Sequence, residues 1–188
     1  MAPPKDSLTR TIYQIKVTLK GSEPLIWRRF LVSADYTLEK LHRVLQIVMG
    51  WENAHLHEFK VGKLSYGQRN PEFGDRMMSH RSVTVEAVAP NRRDKFTYIY
   101  DFGDGWQHEV KVEEMLAVER GVHYPVCLAG ERACPPEDCG GIWGYARLLE
   151  AFENPRTRDD RELVEWAGDY DPEAFDLEAV NKRLRRMR

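Results

Sequence analysis

Three histidines carry the first chemical suggestion in this chain: His55, His57 and His108. His55 and His57 are two residues apart in an apolar stretch running to Val61. On an extended strand they share a face with Phe59 and Val61. His108 lies in a later stretch, on the same face as Trp106 and Tyr100. Two imidazoles at i and i+2 can share one metal ion, and a third from another strand completes a common ligand set for a divalent metal. The same placement also suits three packed, hydrogen-bonded imidazoles among aromatic rings, and both readings stand at this point. Carboxylates supply the rest of a possible set. Asp101 and Asp104 bracket the turn Gly103-Asp104-Gly105, and Glu137 and Asp138 lie between Pro136 and Cys139. Aspartates in turns commonly accept backbone N–H groups, and an acid ahead of a helix complements its positive end. With the histidines, these four would instead form an acid/base or metal site.

Cys127, Cys134 and Cys139 are spaced irregularly, with His123 four residues before the first. Structural zinc sites show tighter knuckles, so thiolate zinc is the weaker of the two metal readings. No Cys–His nucleophile signature is recognisable. Phosphate-loop, dinucleotide-binding, His-Glu-x-x-His and Gly-x-Ser-x-Gly motifs are also missing from the sequence. Lys182, Arg183, Arg185, Arg186 and Arg188 crowd the end of the chain. Cations there suit a helix C-terminus, while a nucleic-acid patch is the alternative use. The aromatic residues before them, Trp166, Tyr170 and Phe175, read as core rather than as a base-stacking platform.

Strands and turns must position these groups. Tyr13, Ile15, Val17 and Leu19 alternate with polar residues, which predicts a half-buried strand. Leu25 to Val32, after the turn at 21–24, predicts its hairpin partner. A helix follows, capped by Asp35 or Thr37, with Leu38, Leu41, Leu45 and Val48 at helical spacing and Gly50 as its stop. Residues 55–61 and 64–66 predict a second hairpin across Gly62-Lys63, and 67–80 read as a loop. Val83, Val85 and Ala87 alternate as a short strand would. Residues 96–102 and 106–112 predict a third hairpin. A three-residue loop would pair Phe102 with Trp106, Tyr100 with His108, Tyr98 with Val110 and Phe96 with Val112. Residues 120–141 read as one long ordered loop of a kind usually functional or tied down. Three helices are expected at about 141–153, 157–167 and 175–187. Ile142, Tyr145, Leu149 and Phe152 form the inner stripe of the first, and Leu177, Val180 and Leu184 that of the last. The fold class is therefore α+β: a mostly antiparallel sheet built from hairpins, with an early amphipathic helix and C-terminal helices packed on it.

With 188 residues, 42% of them hydrophobic and 31% charged, the chain suits one globular domain with a sizeable core. We expect a loose leader over 1–10 and a single domain over 11–188. No apolar run approaches the roughly 20 residues of a membrane span, and residues 1–6 lack a signal-peptide stretch. These features, with an odd number of cysteines, predict a cytoplasmic protein with free thiols. A net charge of −2 gives no global attraction for nucleic acid.

Several segments together resemble the plasmid pRiA4b ORF-3-like family, which takes in an insertion-element passenger protein labelled TnpR-like. They are Ile26-Trp27-Arg28-Arg29, then Gly50-Trp51 followed by His55-Leu56-His57-Glu58-Phe59. Next comes Tyr100-Asp101-Phe102-Gly103-Asp104-Gly105-Trp106-Gln107-His108. Last is Cys134-Pro135-Pro136-Glu137-Asp138-Cys139-Gly140-Gly141, leading into Gly144-Tyr145. They run in the family's order from about 11 to 183. The resemblance implies an α+β domain and little biochemistry. It rests less on the cysteines than on Pro135 to Asp138 and Gly140-Gly141. The sequence carries no helix-turn-helix, so the TnpR-like label brings no resolvase chemistry with it.

Three functions remain, in order. The first is a binding or interaction module for an unknown ligand or protein partner, with a pocket drawn from His55, His57, Asp101, Asp104, His108, Glu137 and Asp138. The second is a metal-dependent, hydrolase-type enzyme using the same residues, with a divalent metal as cofactor. The third is a nucleic-acid-associated factor. The pocket depends on the long loop folding back over the strand ends, where buried polar groups would supply one another's partners.

Overall fold

A computed structural model describes residues 10–68 and 77–187 of the chain. The leader expected over 1–10 falls, except for residue 10, outside these residues, as do the middle of the 67–80 loop and Arg188. Strand β1 (Thr11–Leu19) pairs antiparallel with β2 (Trp27–Ser33) on one side and β7 (Trp106–Ala117) on the other. The remaining strands are β3 (His57–Val61), β4 (Leu64–Gly67), β5 (Met78–Ser79), β6 (Lys95–Tyr100) and β8 (Val126–Glu131). They form one eight-stranded sheet in the order β5-β4-β3-β6-β7-β1-β2-β8. Only β4 and β5 run parallel.

Alternation decides the faces. Tyr13, Ile15, Val17 and Leu19 of β1 are buried, and so are Phe30, Val110, Val112, Phe96, Tyr98 and Phe59 on the neighbouring strands. Helix α1 (Leu38–Met49) packs with this face in one core through Leu38, Leu41, Val44, Leu45 and Val48. Thr37, not Asp35, caps it by accepting the Lys40 N–H, and Gly50 ends it in the left-handed conformation. The opposite face of the sheet is polar. There Glu113 accepts hydrogen bonds from Arg29 and Gln14, and Lys95 pairs with Glu109. One covered and one wet face is the usual outcome for an antiparallel sheet.

Four local expectations are corrected. The β6–β7 hairpin pairs Tyr100 with Trp106, Tyr98 with His108 and Phe96 with Val110, two residues from the expected register. The cause is Asp101. It takes a left-handed φ of 57°, its carboxylate accepts the Gly103 N–H and its carbonyl accepts the Gly105 N–H. The loop therefore starts at Asp101 rather than at Gly103. A shift of two preserves the buried face, so the error was invisible in the alternation. Val85–Val88 form a short helix, α2, because Thr84 caps it and accepts the Ala87 N–H. Strand β8 lies inside the stretch read as a loop and completes the sheet on β2. Asn181 covers its outer edge, accepting the Cys127 N–H at 2.8 Å and donating to the Cys127 carbonyl at 2.9 Å. Strand β3 begins at His57, so His55 precedes the strand it was assigned to.

Helices α3 (Gly141–Glu153), α4 (Arg158–Ala167) and α5 (Leu177–Arg185) follow the expected order. The buried side of α3 is Tyr145, Leu148 and Ala151, with Ile142, Leu149 and Phe152 only half-buried. In α5 Leu184 is buried, Val180 half-buried and Leu177 exposed, and Trp166 of α4 is exposed rather than core. No helix among the described residues is long and apolar enough to cross a membrane.

Arg28 is buried on the core face of β2 without a carboxylate partner. Nε donates to the Val48 carbonyl at 2.7 Å, Nη1 to those of Trp27 and Glu131 at 2.8 and 2.7 Å, and Nη2 to that of Arg132 at 2.7 Å. The guanidinium lies 4.3 Å from the centre of the Phe175 ring. Burial pulls its pKa below the ordinary arginine value. Gly130 is required here, since a Cβ would stand 2.6 Å from Arg28 Cδ and 2.8 Å from the Phe175 ring.

Replacing Arg28 by Met should destabilise the protein by about 3 kcal/mol or more, because four carbonyls lose a charged donor. Urea unfolding measures it, and hydrogen exchange should quicken at residues 131–134. An unchanged midpoint would refute the role assigned to this side chain.

Candidate functional site

Two adjacent polar clusters occupy one end of the sheet. The first is centred on His55. Tyr100 Oη accepts the backbone N–H groups of Ala54 and His55 at 2.9 and 3.3 Å, and its O–H donates to Glu137 Oε1 at 3.0 Å. The Glu52 N–H donates to the same oxygen at 2.6 Å. Burial first, and then the Glu137 carboxylate, push the Tyr100 pKa up to about 12, so its phenol remains a donor. Across the turn, the Asp101 N–H donates to the Leu56 carbonyl at 2.9 Å. These bonds hold the 51–56 connection, the β6–β7 turn and the 132–140 loop together.

The result is a convergence of one imidazole and three carboxylates. His55 Nε2 lies 3.3 Å from Glu137 Oε2, 3.4 Å from Asp138 Oδ1 and 3.8 Å from Asp101 Oδ2. One potential ligand atom each from His55, Asp101 and Asp138 falls within 4.8 Å of the others. Asp101 and Glu137 are mostly buried, and Asp138 is exposed. Asp104 stands beside this group rather than in it. Its carboxylate accepts the Gly140 N–H at 3.3 Å, and its carbonyl sits where a Cβ on Gly141 would go. Asp104 thus fastens the two loops together.

His57 and His108 are placed elsewhere. His108 is fully buried, with Nδ1 3.3 Å from the Tyr98 carbonyl and its ring edge-on to Trp51. Burial lowers its pKa to about 4, which keeps it neutral. His57 belongs to the second cluster, with His42 and His80. Its ring stacks on that of His42 at 3.5 Å and 7° between planes, and the His80 ring lies 5.0 Å away. His42 is fixed by a closed circuit of hydrogen bonds. Gln46 Nε2 donates to Tyr98 Oη at 2.9 Å, and the Tyr98 O–H faces His42 Nδ1 at 2.8 Å. His42 Nε2 faces Asn53 Oδ1 at 2.6 Å, and the Asn53 N–H donates to Gln46 Oε1 at 2.8 Å. Asn53 Oδ1 only accepts, so Nε2 carries the proton and Nδ1 takes the tyrosine's.

Burial lowers the pKa of His42 to about 4 and that of His57 to about 2, where the neighbouring imidazoles lower it further. That of His80 is lowered for the same first reason. Among the described residues, His57 Nε2 and His80 Nδ1 are buried without a hydrogen-bond partner. Both residues line a cavity of about 320 Å³, together with His42, His55, Asn53, Glu39, Arg43 and Arg81. His55 therefore belongs to both clusters.

None of the cysteines belongs to the group of His55, Asp101 and Asp138. Burial pushes Cys127 up to about 11, Cys139 up to about 12 and Cys134 well above the ordinary thiol value, so all three remain thiols. Lys182, Arg183 and Arg185 lie in the last turn of α5, where they complement the helix dipole. Sequence reasoning missed His42, His80, Asn53 and Tyr100. His42 and Gln46 were open to detection, since they are polar residues on the inner stripe of α1. His80 carried no such signal.

Comparison with known proteins gives three findings. A family model described as plasmid pRiA4b ORF-3-like protein matches residues 11–179. The uncharacterised protein y4hQ of Sinorhizobium fredii is 39% identical over 180 residues, covering 94% of this chain and 92% of its own. The crystal structure of MM3350 from Methanosarcina mazei Go1, a protein of unknown function, matches with a TM-score of 0.81 and 38% identity. That match covers 90% of this chain and 97% of the other.

The buried imidazoles make stability depend on acid. Unfolded, they take up a proton near 6.5; folded, His42 and His108 do so at about 4 and His57 lower still. The unfolded state binds more protons in that window. Stability should hold above pH 6.5 and fall as pH drops from 6.5 toward 4, by roughly 1.4 kcal/mol per pH unit for each imidazole. Urea unfolding at both ends of the window measures this, and a flat profile would contradict it. Tyr98→Phe, which strands His42 Nδ1 and Gln46 Nε2, should cost about 1–3 kcal/mol at neutral pH.

Proposed function

This chain belongs to the plasmid pRiA4b ORF-3-like family, and on that premise we propose that it is a binding module whose working part is the polar pocket at His55. The observation that carries this reading is the approach of Asp101, Glu137 and Asp138 to one imidazole nitrogen, at 3.3–3.8 Å. Three carboxylates close together repel one another unless a cation lies among them. A protonated His55 offsets one charge; a divalent cation offsets two and uses the same donors. One imidazole with carboxylate oxygens suits Mn²⁺, Fe²⁺ or Zn²⁺. The open side at Asp138 gives such an ion a way in. The three free cysteines support a reducing, cytoplasmic setting.

A second reading, a metal-dependent hydrolase, has one observation in its favour. His55 also lines the cavity of about 320 Å³, so an ion held there would face a space large enough for a small substrate.

Elemental mass spectrometry of untagged protein purified without chelator, followed by calorimetric titration with Mn²⁺ and Zn²⁺, tests both. Near-stoichiometric uptake is expected, with His55→Ala weakening it by roughly tenfold or more. Folded protein that takes up neither ion, or a His55→Ala variant that binds as tightly, would sink the cation reading. Metal-dependent cleavage of p-nitrophenyl phosphate, lost in His55→Ala, would promote the hydrolase over the binding module.

A further inference from the structure

We propose that the histidine-floored cavity beside this cluster is a binding site for a small oxyanion, a ligand bearing a carboxylate or phosphate group. The argument starts from the balance of donors and acceptors in its wall. Arg43 and Arg81 stand at the rim with exposed side chains, and a guanidinium fork matches carboxylate and phosphate oxygens. Asn53 has its oxygen engaged by His42, so its amide N–H groups are what it has left to offer. Among the described residues of this wall Glu39 is the one carboxylate, and it already faces Arg81 Nε at 3.4 Å. The described part of the wall offers more donors than acceptors, which suits a ligand made of acceptors.

The floor points the same way. His57 and His80 are 7% and 4% exposed, and among the described residues His57 Nε2 and His80 Nδ1 have no partner. A buried polar atom left unpaired costs roughly 1–3 kcal/mol. The neutral His80 ring donates to the Gly67 carbonyl, which leaves its Nδ1 an acceptor, so His57 Nε2 is the atom that can donate to a ligand oxygen, once a small ring movement uncovers it. His42 cannot take that role, because both its nitrogens are engaged in the circuit with Tyr98 and Asn53. The stacked geometry also argues against a metal at the floor. Ligand lone pairs lie in the ring plane, and the His42 and His57 planes run parallel 3.5 Å apart. The cavity of about 320 Å³ sits at the small end of ligand sites, so the ligand is a small molecule. This inference is independent of the cation at His55, since it rests on different atoms.

The test uses the whole isotopically labelled chain in buffer stripped of divalent cations over a chelating resin, because a dissolved chelator is itself a polycarboxylate. Inorganic phosphate and acetate are titrated separately, with chloride as control, and the histidine ring nitrogens are followed by NMR. Saturable shifts at His57 and His80 are expected, with half-saturation in roughly the millimolar range, while His108 stays unmoved. Saturation by phosphate alone identifies a phosphate-bearing ligand; saturation by acetate as well identifies the carboxylate class. The Arg43→Gln/Arg81→Gln double variant, altered only at exposed side chains, should keep its thermal melt and bind roughly tenfold more weakly. The proposal is overturned if neither anion moves His57 and His80, if chloride moves them equally, or if the double variant binds as well as the parent.

Discussion

The buried guanidinium of Arg28 is the contact on which both halves of the site depend. It joins the last turn of α1, through the Val48 carbonyl, to the end of β8, through those of Glu131 and Arg132. The chain leaving α1 carries Asn53 and His55. The chain leaving β8 carries Glu137 and Asp138. Each segment is short, so the position of its start limits where its polar groups can reach. A buried charge without an opposing charge is tolerable only when its hydrogen bonds are satisfied, and Arg28 meets that condition with backbone carbonyls alone. Carbonyls exist at every residue, so the requirement falls on main-chain position rather than on a partner side chain. That is why the contact fixes loop placement.

Above it, the polar groups under α1 follow one rule. Where burial is deep, the imidazole is kept neutral. His42 is the clearest case: its two nitrogens close a circuit through Tyr98, Gln46 and Asn53, and its pKa falls to about 4. Where the chain opens to solvent, charge reappears, as in the exposed Asp138 carboxylate and the arginines at the cavity rim. The two clusters therefore have opposite character although they share His55. One gathers carboxylates around an imidazole, and the other places two arginines at the rim of a cavity lined by neutral imidazoles. Their adjacency at the end of the sheet is what makes the pocket reading more than a list of polar side chains.

Much of the scaffold was legible in the sequence, and the reason is local. The face of β1 followed from period-two alternation, and the three closing helices from caps and spacing that act within a few residues. The convergence of Glu137 and Asp138 with His55 was legible only as a condition, that the long loop fold back over the strand ends. Parity failed where local geometry intervened. It placed His55 on a strand that begins two residues later, and it could not tell the β6–β7 register from one shifted by two, because both bury the same side chains.

What the sequence determined by itself is the set of faces, the order of the elements and the family, since alternation, capping and motif order are properties of neighbouring residues. What only the tertiary structure decided is the company each imidazole keeps. His55 went to the carboxylates, His57 to a stack with His42 and His80, and His108 to the aromatic core. These choices join residues far apart in the chain, such as His42 with Tyr98 and His55 with Glu137. They turn on distances of a few tenths of an ångström in hydrogen bonds that no spacing rule encodes. The identity of β8 was decided in the same way, because a strand with a glycine in it becomes a strand when β2 offers an edge and Arg28 and Phe175 fill the space that glycine leaves.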